Sequence, residues 1–197
     1  MTVFVIILAN LVPAIGVVFF GWSTGSVVML FWFESLVVGF FNIFKMLFAQ
    51  GDTQVEINGK PATKAEAKGC LIPFFMLHYG IFVLVQGIFM LTFVRNDLRD
   101  IVSKSFFLGM TGVFCSHLLT FIFKYIGEKQ YKTTDIGNLM ITPYWRIMLQ
   151  QFIAIGGSWL EVTYLHAGYL FVVLIIFCKT IADLAGHYLE NRSKNRL

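Results

Sequence analysis

The sequence predicts an all-α integral membrane protein, a bundle of six transmembrane helices with both termini cytoplasmic. Three observations carry that prediction. The 197 residues are 57% hydrophobic, with a mean hydropathy of +0.75. Only 13% are charged, about half of the roughly 25% found in a soluble domain and too few for a water-facing surface. Six apolar runs are long enough to cross about 30 Å of hydrocarbon as helices. The longest polar gap runs from about Gln50 to Lys68 and leaves no room for a soluble domain. Residues 1–190 are therefore read as one transmembrane domain and 191–197 as a basic cytoplasmic tail.

The first span covers about Thr2 to Phe20, interrupted by Asn10 and Pro13. It has no basic leader and no small-residue cleavage site, so it reads as a span and not as a signal peptide. A short Gly21–Gly25 turn makes the second span, about Ser26 to Phe48, its antiparallel neighbour. In the loop that follows, Asn58-Gly59 signals a turn, and Thr63 is placed to cap a short interfacial helix leading into span 3, Leu71 to Val94. The connector RNDLRDIVSK precedes span 4, Ser105 to Ile126. Thr134-Asp135 before apolar residues predicts another interfacial helix, and Pro143 marks the start of span 5, Tyr144 to Thr163. Trp145, Trp159 and Tyr164 have the placement of aromatic belts. Span 6 runs from His166 to Leu189.

Lysine and arginine set the sidedness. The 2–3 loop, the 4–5 loop and the tail carry eleven of them on one side, against Arg95, Arg99 and Lys104 on the other. The richer side is expected to be cytoplasmic. The three cysteines, Cys70, Cys115 and Cys178, are widely separated and without CxxC spacing, and read as small hydrophobes.

Polar residues inside these spans are the candidate site. An acid or base at mid-helix costs roughly 2.5–3.5 kcal/mol, so Glu34, deep in span 2, needs a partner, a proton or a water-filled pocket. At about 1.5 Å per residue, Asn42, His78, Gln151 and Asp183 lie roughly 10 Å from the cytoplasmic ends of their spans and His117 roughly 13 Å. Lys179 and Glu34 lie higher, at roughly 17 and 21 Å. Lys179, Asp183 and His187 share one face of span 6 by their four-residue spacing. His78 and His117, on consecutive antiparallel spans at one depth, can each be a hydrogen-bonded packing residue, or with Glu34 can bind a metal or a haem. There is no HExxH, no GxSG with a partner histidine and no CxxCH.

Trp32-x-Glu34 with Gly39-Phe40, Phe74-Phe75-x-x-His78-Tyr79-Gly80, Ser116-His117, Pro143-Tyr144-x-Arg146-Ile147 and Lys179-Thr180-x-x-Asp183 resemble, as a set, an uncharacterised family of bacterial and archaeal multi-pass membrane proteins, a domain of unknown function. The resemblance covers nearly the whole chain. It implies about six spans, a prokaryotic cytoplasmic membrane and no defined activity. It also implies histidines where this chain has Gln86 and Gln151, which favours a hydrogen-bonded pocket over a metal site.

Three function classes follow. The first is a buried pocket that binds a small ligand or cofactor of unknown identity, or relays protons, through Glu34, Asn42, His78, His117, Gln151, Lys179 and Asp183. The second is a non-catalytic subunit or scaffold, with membrane lipid and other membrane subunits or further copies of itself as partners. The third, a membrane enzyme, is left without a nameable nucleophile–base pair. Nothing points to nucleic acid.

Overall fold

The computed structural model describes residues 2–53, 55–94, 103–145, 147–148, 173, 176–177 and 180. The predicted span 6, most of span 5, the tail, and with them Gln151, Lys179 and Asp183, lie outside the described residues.

The described chain is mostly helical: α1 (Thr2–Phe20), α2 (Thr24–Phe48), α3 (Lys64–Val94), α4 (Lys104–Leu119) and α5 (residues 136–145), with a two-residue hairpin of β1 (Glu56–Ile57) and β2 (Lys60–Pro61). Three helical segments are long and apolar enough to cross a membrane: Gly25–Phe48, Lys64–Ile88 and Lys104–Gly127. α1 is continuous through Pro13 instead of breaking there. The proline removes one rung of the ladder, a loss that membrane helices tolerate when neighbouring groups re-satisfy the backbone.

Local chemistry explains the helix ends. Gly21 takes φ 65° in the tight turn after α1, a conformation that glycine adopts without steric cost. Ser23 then caps α2, its side chain accepting from the Ser26 amide at 3.2 Å. Asn58 and Gly59, at φ 53° and 72°, make the expected hairpin turn, with Glu56 opposite Pro61 and Ile57 opposite Lys60. Thr63 and Glu66 form a reciprocal capping box: the Thr63 amide donates to Glu66 Oε2 at 2.9 Å and the Glu66 amide to Thr63 Oγ1 at 3.3 Å. This cap opens α3 itself, so the interfacial helix expected before span 3 is the polar first turn of one 31-residue helix. Thr63→Ala is expected to destabilise that turn by about 1 kcal/mol. Faster amide exchange at Lys64–Ala67 would report it, and unchanged exchange would rule the cap out.

α2 is the central element. α3 packs on one side of it and α4 on another, while α1 lies against α4 and α2. Antiparallel α2 and α3 are joined by side chains meeting backbone: Trp32 Nε1 donates to the Val83 carbonyl at 2.8 Å and the Tyr79 hydroxyl to the Ser35 carbonyl at 2.9 Å. α4 runs parallel to α2. Phe41 meets Phe114 and Phe121, and the Tyr125 hydroxyl donates to the Lys45 carbonyl at 2.7 Å. One core of Met46, Phe75, Tyr79, Val83, Ile136 and Ile147 lies between α2, α3 and α5. Another, of Trp22, Leu30, Phe106 and Val113, lies between the α1–α2 turn and α4.

The two loops expected on one side do meet. The Gln50 amide donates to the Tyr131 carbonyl at 2.7 Å and the Gly51 amide to the Thr134 carbonyl at 3.2 Å. Lys68 and Lys64 cover the carbonyl end of α2, donating to the Leu47 and Gln50 carbonyls at 2.7 Å each. Cations are favoured there because the last carbonyls of a helix lack partners and carry partial negative charge. Asp135 caps α5, accepting from the Asn138 amide at 3.2 Å. α5 then runs through Pro143, so the boundary expected at that proline is absent.

Candidate polar site between α2 and α4

Glu34 lies on the α4-facing side of α2, 7% exposed. Its Oε1 stands 3.5 Å from Nε2 of His117. That separation is within ion-pair reach but longer than the 2.7–3.2 Å of a well-made N–H···O bond. A carboxyl and an imidazole so placed can hold a proton on either partner. A small shift of one side chain would close the bond, as polar pairs at working sites often do when occupied.

The backbone beside His117 is irregular. α4 ends at Leu119 and continues as a π-helical segment, Thr120–Gly127. The Thr120 amide reaches back to the Ser116 and His117 carbonyls, and its hydroxyl donates to the Ser116 carbonyl at 2.8 Å. Such wide turns are rare and concentrate at functional positions. Here the segment starts within one turn of the only described histidine that faces Glu34.

The remaining sequence-predicted residues are placed elsewhere. Asn42, 5% exposed, donates through Nδ2 to the Leu139 carbonyl at 2.8 Å and ties α2 to α5. His78 is exposed; its Nδ1 is hydrogen-bonded to the Tyr144 hydroxyl at 2.8 Å, and its ring stacks on Phe74. The polar layer read from helix depth thus separates, in its described part, into three contacts: Glu34 with His117, Asn42 with α5, and His78 with α5. Among the described residues no three His, Cys, Asp or Glu side chains gather as a metal site.

Two participants were not singled out by depth. Tyr144 was visible only as part of the Pro-Tyr motif, because a tyrosine at a span end reads as an interface anchor. Gln86 is 2% exposed and its Oε1 has no hydrogen-bond partner among the described residues. A single glutamine in an apolar run signals an interhelical contact without naming the partner.

The motif residues do converge. Trp32 and Ser35 of α2 bond to α3, Gly39 lies directly under the Tyr79 ring, and Tyr144 meets Phe75, His78 and Tyr79. No curated protein and no solved structure matches the chain. A family model does, over residues 1–196, and the chain belongs to that family, described as a family of unknown function, DUF6498.

Proposed function

We propose that the chain is a six-span protein of a prokaryotic cytoplasmic membrane whose α2–α4 seam holds a polar site that binds a small polar ligand or passes protons. The observation that supports it is the Glu34–His117 contact: a carboxylate and an imidazole within 3.5 Å, inside helices apolar enough to span a bilayer. Intramembrane ionisable residues are costly enough that their retention points to use. In this reading Gln151, Lys179 and Asp183 of spans 5 and 6 complete the site, and Asn42 holds its α5 flank. The lysine-rich end, where the α2–α3 and α4–α5 loops bond to one another, faces the cytoplasm with both termini.

The test is proton flux into proteoliposomes with an internal pH dye and an imposed potential, beside native mass spectrometry for bound small molecules. Wild type is expected to pass protons or carry a ligand. Glu34→Gln and His117→Gln should lose that property at least tenfold while their melting temperatures stay within about 3 °C of wild type, the shift expected of a change below about 1 kcal/mol. Tight vesicles and an empty protein would reduce the pair to a packing contact.

A further inference from the structure

His78 and Tyr144 form a second polar feature, separate from Glu34 and His117. The pair has a hydrogen-bond count that does not depend on tautomer. A neutral imidazole has one N–H and a phenol has one O–H. The single bond between Nδ1 and the Tyr144 hydroxyl uses one of these protons. If tyrosine donates, the Nε2–H of His78 is left over; if histidine donates, the phenol proton is. Within the pair one donor is therefore always left over, and no other hydrogen-bond partner for either side chain is found among the described residues.

The surroundings say what can take that donor. His78 is exposed on α3, roughly 15 Å along the helix beyond Lys68 at about 1.5 Å per residue. Around it Phe74 is 48%, Leu77 67%, Ile81 52% and Phe82 41% exposed. On a membrane-crossing α3 this is hydrocarbon depth, where neither water nor phospholipid ester carbonyls, which lie at the core edge, are at hand. An unmet donor there costs several kcal/mol. The flanking rings are the second clue. Phe74 stacks on His78 at 5.2 Å between centroids and Phe82 packs against it at an angle, also at 5.2 Å, so two partly exposed aromatic rings flank the imidazole. Flat conjugated rings stack on the faces of such rings.

We propose that His78 and Tyr144 form a binding site on the bilayer face of α3 for a lipid-dissolved molecule with a carbonyl on a flat conjugated ring, the chemistry of a quinone headgroup. The site requires α3 to cross the membrane and is independent of the Glu34–His117 reading.

The probe is a decyl-substituted benzoquinone titrated into the full-length protein in nanodiscs of ether-linked phospholipid, which has no ester carbonyl. Saturable binding is expected. The double variant His78→Phe/Tyr144→Phe should bind about tenfold more weakly, the effect of one lost hydrogen bond in an apolar site. Each single variant should lose less, because the surviving partner keeps a donor. Decylbenzene should not compete. Photolabelling of wild type with an azido-quinone, which needs no variant to fold, should mark α3 between Phe74 and Phe82.

Wild-type affinity in a correctly melting double variant, or label confined elsewhere, would overturn the assignment. So would quinone binding that is strong in ether lipid but displaced tenfold by ester lipid, which would make the phospholipid carbonyl the occupant. A dimer that dissociates in the double variant would make it a second copy.

Discussion

Trp22→Ala is expected to destabilise the fold by about 3 kcal/mol, the low end of the range for removing a buried Trp. The indole is 6% exposed and fills the space above two residues without side chains, Gly16 and Gly109, where an added Cβ would overlap its ring. It meets Phe106 edge to face at 5.5 Å, and its Nε1 donates to Ser105 Oγ at 3.1 Å. It therefore joins α1, the α1–α2 turn and the start of α4. The low end is taken for helices apolar enough to cross a membrane, because in a bilayer packing, not expulsion of water, holds helices together. Trp22→Phe keeps most of the ring contact and loses the hydrogen bond, and should cost about 1 kcal/mol beyond the smaller packing loss. Denaturant titration in micelles, followed by far-ultraviolet dichroism, measures both. A loss below 1 kcal/mol for the alanine variant would mean that this corner does not hold the helices together.

Gly39→Ala is expected to destabilise by about 1–3 kcal/mol, although alanine is the better helix former by about 1 kcal/mol. The opposite sign comes from tertiary packing. A Cβ at Gly39 would overlap the Tyr79 ring, which is 5% exposed, stacks on Phe75 and donates its hydroxyl to the Ser35 carbonyl. The ring has nowhere to move without giving up that bond. In a Tyr79→Ala background the obstruction is gone, so Gly39→Ala should become neutral or stabilising. A double-mutant cycle separates the two contributions. If Gly39→Ala stabilises the protein with Tyr79 in place, α2 and α3 do not approach as closely as described.

The parts of the fold legible in sequence are those set by neighbours along the chain. The bounds of α1 and the end of α2 follow from apolar runs ending at Gly21 and Ala49. Asn58-Gly59 turns because these residues accept positive φ, and Thr63 caps because Glu66 is three residues on. The boundary of α3 was less legible. Its first turn is polar and looked like a separate segment. It is helical from Lys64 because the Thr63–Glu66 box caps it there, and Lys64 and Lys68 hold that turn against the carbonyl end of α2, a contact no local pattern reveals. Pro143 misled in the same way: proline is a boundary signal only when nothing beyond it sustains the helix.

By itself the sequence determined that long apolar helices carry costly polar groups, and roughly at what depth. Only the tertiary structure decided which of those groups meet. Counting residues put Glu34 and His117 about 8 Å apart in height, because it measures rise along a helix axis at about 1.5 Å per residue. It is blind to the direction a side chain points around the axis, to the offset between packed helices and to side-chain reach. Those terms bring Glu34 to His117 and turn His78, at a depth that suggested His117 as its neighbour, toward Tyr144.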